Sequence, residues 1–92
     1  MIQLEPRHQA IIKAIFSKFS NEVFVFGSRS KGTAKPLSDL DVAIFSEISK
    51  ADLVRLKAEL EDSNLPFHVD VIVWDEISPE FQNHIKPDLK RL

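Results

Sequence analysis

The feature that most restricts the fold of this chain is a Gly-Ser turn between two short apolar runs. Gly27-Ser28 follows the first run, Glu22 to Phe26, and a second run extends from Val42 to Phe45. Short runs rich in valine, isoleucine and phenylalanine are typical of β-strands. Because the connection between them is too short for a helical crossover, we expect the two strands to be antiparallel.

The rest of the chain predicts a third strand and flanking helices. An apolar stripe follows Pro6 at helical spacing, and Ser49 and Ser78-Pro79 are typical helix starts. The expected segments are a helix from Pro6 to Ser20-Asn21, a helical turn over 28–34, helices over 50–62 and after Pro79, and strands over 22–26, 39–45 and 67–74. A helix joins strands two and three, which should therefore be parallel. With 92 residues, we expect one domain over residues 1–92. The expected fold class is α+β, a small mixed three-stranded sheet with helices packed on one face.

Three aspartates fall on these strands at positions that suggest a metal site. Asp39 and Asp41 are two residues apart at the start of the second strand, so they share one face of the sheet, with Cα atoms about 6.6 Å apart. Asp70 lies within the third apolar run, Val69 to Trp74. If the two strands are neighbours, the three carboxylates converge on the face that lacks helices.

Clustered carboxylates are costly to ionise together, and a divalent cation resolves that conflict. Mg²⁺ prefers oxygen ligands, and two ions about 3.5–4 Å apart could hold both the attacking and the leaving oxygen of an in-line displacement. A solvated turn would explain an isolated Asp-x-Asp, and an open sheet face would accommodate Asp70. The occurrence of all three aspartates together with the Gly-Ser turn favours a metal site over these alternatives.

The Gly-Ser turn is suited to phosphate. Gly27 permits a tight turn and close backbone approach, while Ser28 offers a hydroxyl and an N–H at an expected helix start. The spacing from Gly27 to Gly32 resembles a P-loop, but Thr33-Ala34 stands where that motif requires Lys-Ser/Thr, which argues against a P-loop nucleotidase. Three cations of the following loop form a patch of the size of a triphosphate, and two of them are candidate nucleotide contacts. The cations are Arg29, Lys31 and Lys35, of which the candidates are Arg29 and Lys31.

Composition excludes several other classes of protein. The net charge of −2 argues against stable nucleic-acid binding, and the absence of cysteine excludes disulfides and thiolate metal sites. The longest apolar run has four residues, as in Val23 to Phe26, whereas a membrane span needs about 20. The N-terminus has no basic region followed by an apolar stretch, so we expect a cytoplasmic protein without a signal peptide.

Taken together, these motifs resemble a known superfamily. Gly27-Ser28, ten residues, Asp39-x-Asp41 and a later Asp70 are similar to the pattern of the DNA polymerase β-type nucleotidyltransferases. The resemblance covers nearly the whole chain and is closest to the minimal nucleotidyltransferases, the MNT proteins, which lack an added substrate domain. The segment from Val69 to Phe81 resembles the third strand and following turn of that subfamily.

The resemblance implies a set of roles. Asp39 and Asp41 would bind the catalytic Mg²⁺ ions, and Asp70 would complete the site and help to position or deprotonate the acceptor hydroxyl. Gly27 and Ser28 would hold the β- and γ-phosphates of ATP. Because MNT proteins act as antitoxins of HEPN-domain RNase toxins, the implied reaction is transfer of AMP to a tyrosine of such a partner.

Alternatives remain open at the level of sequence. The chain could be a non-catalytic module that neutralises a toxin by binding it, or it could transfer a nucleotide to a small molecule. The second alternative would require a pocket that a single small domain has little room to form. The apolar residues Phe45, Ile72 and Trp74 are expected on the helix-free face, where Trp74 is the best candidate for an interface anchor. The charged tail, Asp88 to Leu92, is expected to fray.

Overall fold

The computed structural model describes residues 1–92 and has an α+β fold, as predicted. The helices and strands are α1 (Pro6–Phe16), β1 (Val23–Phe26), α2 (Ser28–Lys31), β2 (Leu40–Ile44), α3 (Lys50–Glu61), β3 (Val69–Val73), α4 (Pro79–Ile85) and β4 (Lys90–Arg91). Two short 3-10 turns, Trp74–Glu76 and Lys86–Asp88, flank α4. None of the helices combines the length and the hydropathy that a membrane span requires.

The strands form one mixed sheet in the order β3-β2-β1-β4. The β1–β2 pair is antiparallel and the β2–β3 pair is parallel, which confirms both predicted orientations. In this register Asp41 lies directly opposite Asp70 on one side and opposite Phe26 on the other. The sheet therefore brings the second and third aspartates to the same level of two neighbouring strands.

The main hydrophobic core lies between one face of the sheet and helices α1 and α3. The strands β1, β2 and β3 contribute alternate residues to it, as expected for strands with one face on the core. The core residues with no exposed side-chain surface include Ile12 of α1, Leu56 of α3, Val25 of β1, and Leu40 and Val42 of β2. The alternation leaves Asp41 on the opposite face, where its carboxylate is half-buried rather than part of this core.

The predicted helix starts at Ser49 and Ser78 are confirmed by their hydrogen bonds. The hydroxyl of Ser49 accepts from the Asp52 N–H at 3.1 Å, and that of Ser78 accepts from the Phe81 N–H at 3.1 Å. Each hydroxyl satisfies one of the N–H groups that the first turn of a helix leaves without a partner.

The sheet has four strands instead of the expected three, because the C-terminal tail does not fray. Lys90–Arg91 pairs with β1, and the Leu92 N–H donates to the carbonyl of Val23 at 3.0 Å. The Leu92 side chain packs against the main core. The prediction of a fraying tail was wrong because β1 has a free edge, and the tail pairs with that edge despite its charges.

The second face of the sheet also differs from expectation, since part of it is covered. Ile85 of α4 is 3 % exposed and packs with Phe26 and Ala43. Trp74 stacks on Phe45 with the ring centroids 4.5 Å apart. Trp74 is therefore half-buried inside this second cluster and is not the fully exposed anchor that an uncovered face would present.

Candidate active site

Gly27 lies at the end of β1, where the chain turns into α2. Its φ of 76° falls in the region that disfavours residues with a Cβ. An added Cβ would overlap Oδ2 of Asp41 and lie 3.2 Å from its Cγ. The absence of a side chain at Gly27 is therefore what allows the Asp41 carboxylate to pack against the turn.

The three aspartates are close enough to influence one another. Burial raises the pKa of Asp41 above its ordinary value, and the charges of Asp70 and then Asp39 raise that pKa further. The nearby His68 opposes them and lowers the pKa of Asp41. A carboxyl group with a raised pKa among like charges is the electrostatic environment that a bound cation would relieve.

The three carboxylates do not by themselves form a closed cage of ligands. No group of three or more histidine or acidic side chains has the geometry to hold a metal ion alone. This arrangement fits Mg²⁺ better than a structural metal, because Mg²⁺ usually binds through one or two carboxylates and completes its coordination with water and substrate phosphates. Asp39 and Asp70 are exposed, so a ligand can reach them from solvent.

The two candidate phosphate-binding cations have different environments. Lys31 is half-exposed and makes a 3.5 Å ion pair with Asp88. Arg29 is only 5 % exposed. Its guanidinium donates to the carbonyls of Ser38, Gln3 and Pro36, so most of its N–H groups are already used within the protein. Arg29 therefore holds backbone segments together and has little hydrogen-bonding capacity left for a phosphate, contrary to the prediction.

Residues that the sequence did not single out also support the Gly-Ser turn and the loop that follows it. The Gln3 side-chain amide accepts from the Ala34 N–H at 3.0 Å and donates to the Ala34 carbonyl at 2.8 Å. From the tail, Lys90 donates to the Ser30 carbonyl at 2.6 Å, and the Ser30 hydroxyl donates to the carbonyl of Asp88. These contacts join segments that are far apart in the chain, and no local pattern in the sequence signals them.

Comparison with known proteins identifies the family. Residues 10–92 match the family model described as "Polymerase beta, Nucleotidyltransferase". The chain belongs to the polymerase beta nucleotidyltransferase family. This nucleotidyltransferase is 38 % identical over 89 residues to "Probable protein adenylyltransferase MntA" of Haemophilus influenzae (strain ATCC 51907 / DSM 11121 / KW20 / Rd), an alignment that covers 92 % of this chain and 78 % of that protein.

A solved structure assigned as a minimal nucleotidyltransferase has the same fold. It superposes with a TM-score of 0.68 at 30 % identity and covers 94 % of this chain and 89 % of that one. The nucleotidyltransferase described here is thus of the minimal type and is a transferase enzyme, which confirms the family, fold class and enzyme class that the motifs predicted.

Proposed function

We propose that this enzyme transfers AMP from ATP to a tyrosine hydroxyl of a partner HEPN-domain toxin and thereby acts as its antitoxin. The observation that carries the proposal is the alignment of Asp41 with Asp70 on neighbouring strands, beside the turn at Gly27. The description of the Haemophilus relative as a protein adenylyltransferase supports a protein acceptor and ATP as the donor.

In the proposed reaction, Asp39 and Asp41 would hold magnesium, with two ions in the full site, and Asp70 would complete the set. The bound metal would neutralise the carboxylates and stabilise negative charge on the phosphates. Asp70 orients the acceptor hydroxyl and takes its proton as the oxygen attacks the α-phosphorus. The bond between the α-phosphorus and the bridging oxygen of pyrophosphate then breaks, and pyrophosphate leaves with the electron pair.

Gly27 and Ser28 contact the β- and γ-phosphates in this proposal. Gly27 lets the backbone come close to the anion, and the Ser28 hydroxyl can donate a hydrogen bond. Lys31, which is half-exposed on the next turn, contributes positive charge near the triphosphate. Its ion pair with Asp88 is exposed enough for the lysine to turn toward a ligand at little cost.

The shape of the surface favours a macromolecular acceptor over a small molecule. A cavity of about 590 Å³ lies between the N-terminal segment and the loop around Pro36, and none of the three aspartates lines it. A small-molecule acceptor needs a concave pocket at the reacting atoms. An acceptor protein brings its own surface and needs only an accessible site, such as the exposed carboxylates of Asp39 and Asp70.

The proposal is tested by incubating the protein with ATP labelled on the α-phosphate, Mg²⁺ and the product of the adjacent gene. We expect label on a tyrosine of that partner, and no label when both Asp39→Asn and Asp41→Asn are present. Asp75→Asn, an exposed carboxylate beyond the end of β3, is the control that should retain activity. If the double variant transfers no label but still neutralises the toxin, the result would instead favour a non-catalytic binding module.

A further inference from the structure

Arg29 is the most buried charged side chain of the molecule, and no carboxylate is paired with it. It is 5 % exposed and takes part in no ion pair with an aspartate or glutamate. Burying a cation is costly unless hydrogen bonds replace its water. Because only neutral groups bind the Arg29 guanidinium, its role depends on which parts of the chain it holds together.

The guanidinium binds two stretches of backbone at once. Its Nε and one terminal nitrogen donate to the carbonyl of Ser38 at 3.1 and 2.9 Å, and the same terminal nitrogen donates to the carbonyl of Pro36 at 3.0 Å. The other terminal nitrogen donates to the carbonyl of Gln3 at 3.0 Å. The planar fork of arginine suits this task, because it offers several donors in fixed directions.

These contacts join the parts of the candidate site. Arg29 is the residue after the Gly-Ser turn (Gly27-Ser28), and Ser38 is the residue before Asp39. The guanidinium also stacks 4.2 Å from the ring centroid of Phe67, three residues before Asp70. One side chain therefore connects the turn with the entries to both strands that carry the aspartates.

The contacts of the Arg29 guanidinium are with backbone carbonyls and an aromatic ring, and none is with a carboxylate. The carbonyl of Arg29 in turn accepts from the Gln3 N–H at 2.7 Å, so the N-terminal segment closes the same network.

We propose that Arg29 is a positioning residue that fixes the distance between the Gly-Ser turn and Asp39, and so sets the separation between the triphosphate and the metal-binding carboxylates. This proposal rests on the proposed roles of those groups. It assigns Arg29 no contact with the nucleotide.

The test uses Arg29→Lys, which keeps the positive charge but loses the fork. We expect this variant to bind Mg²⁺ and ATP at least about 10-fold more weakly and to lose at least as much in kcat, in line with the loss of a residue that orients metal ligands. In the ligand-free protein, amide hydrogen exchange over residues 36–40 should become faster. A lysine variant with wild-type affinity, kcat and exchange would overturn the proposal, because it would show that only the charge matters.

Two further variants separate positioning from general instability. Ile12→Val, in the core and away from the loop, should lower Tm without changing exchange over residues 36–40 or the affinity for Mg²⁺ and ATP. Gln3→Ala, at an exposed position, removes the two side-chain bonds to Ala34 but keeps the main-chain bonds between Gln3 and Arg29. It should therefore change exchange over residues 36–40 and the affinity for Mg²⁺ and ATP much less than Arg29→Lys does. Losses in either control variant as large as those in Arg29→Lys would contradict the proposal.

The design also distinguishes this inference from the proposed reaction. Hydrogen exchange in the ligand-free protein needs neither ATP nor an acceptor. If wild-type protein transfers no AMP but exchange over residues 36–40 still depends on the fork of Arg29, the proposed function fails and the network remains. If AMP is transferred and Arg29→Lys changes nothing, the positioning role fails alone.

Discussion

A methyl group at Gly27 would collide with the Asp41 carboxylate, and it would do so on a backbone whose φ of 76° already disfavours a side chain. We expect Gly27→Ala to lower the free energy of unfolding by about 2 kcal/mol or more and to reduce nucleotidyl transfer at least 100-fold, because Asp41 must move. Urea denaturation and transfer assays measure the two effects.

Gly32→Ala is the control for that prediction, at a glycine of similar φ whose ψ is 21° instead of the −156° of Gly27. Gly32 has nearly the same φ, 78°, but an added Cβ would meet no atom within 4 Å. It should cost about 1 kcal/mol from backbone strain alone and leave the transfer rate nearly unchanged. If both variants lost activity equally, the contact with Asp41 would not explain the loss in Gly27→Ala.

Asp41 carries a predictable dependence of stability on pH. Because its pKa is raised in the folded protein, the folded state binds this proton more tightly than the unfolded state does, and stability falls as pH rises from the ordinary value of 3.8 through the raised one. Asp41→Asn removes that loss. At pH 7 the variant should have a higher Tm and activity lower by more than about 100-fold.

Thermal unfolding between pH 3 and pH 7 checks this prediction, with Asp75→Asn as the exposed control. The difference in Tm between the Asp41 variant and wild type should shrink toward acid pH, where Asp41 is protonated and uncharged in both states. A variant less stable than wild type at pH 7 would mean that Asp41 makes a stabilising contact that outweighs its repulsion.

The burial of Arg29 could not be predicted from the sequence. As a cation in a polar loop it has the pattern of a solvated side chain or a phosphate contact. Its burial depends on Gln3, Ser38 and Phe67, which the fold brings together from three separate segments. Local sequence carries no sign of that convergence, whereas the cap at Ser49 depends on residues three apart and was predictable.

Among the elements, the strands were the most predictable, because their length and side-chain alternation are local properties. The predicted spans 22–26, 39–45 and 67–74 contain the observed β1, β2 and β3, which are one to three residues shorter. The orientation of each pair followed from the length of its connection. The two-residue strand β4 has no pattern of its own and exists because β1 offers an unpaired edge.

The tail is therefore expected to support the active site as well as the sheet. Deleting residues 90–92 removes β4, the packing of Leu92 and the bond from Lys90 to the Ser30 carbonyl. We expect the free energy of unfolding to fall by about 2 kcal/mol and hydrogen exchange in α2 to accelerate. Urea denaturation and exchange mass spectrometry measure these effects, and Lys86→Ala, an exposed change just before the tail, is the control. Unchanged hydrogen exchange in α2 after the deletion would show that the tail does not support the candidate active site.

Across the whole molecule, both faces of the sheet are used, and the aspartates lie where neither apolar cluster covers them fully. Helices α1 and α3 bury one face, while Ile85 and Trp74 belong to the cluster on the other. Asp39 and Asp70 remain exposed. A ligand that binds there should stabilise the fold as a whole, since it binds only the folded state.

We expect Mg²⁺ with ATP, at about 100 times the dissociation constant, to raise the free energy of unfolding by about 2.7 kcal/mol. Thermal shift measurements with the metal and the nucleotide, alone and together, test this linkage. The combined shift should disappear in Asp41→Asn. A shift that persists in that variant would place the nucleotide elsewhere on the protein.

Local sequence was enough to predict the strands, the main helix starts, the family pattern and the positions of the three aspartates, because each depends on residues close together in the chain. Contacts between distant segments explain why the tail forms a fourth strand, why Trp74 is half-buried on Phe45, and why Arg29 is enclosed by backbone carbonyls. No local pattern predicts these three features. Burial and hydrogen-bond partners are properties of segments that meet only when the chain folds.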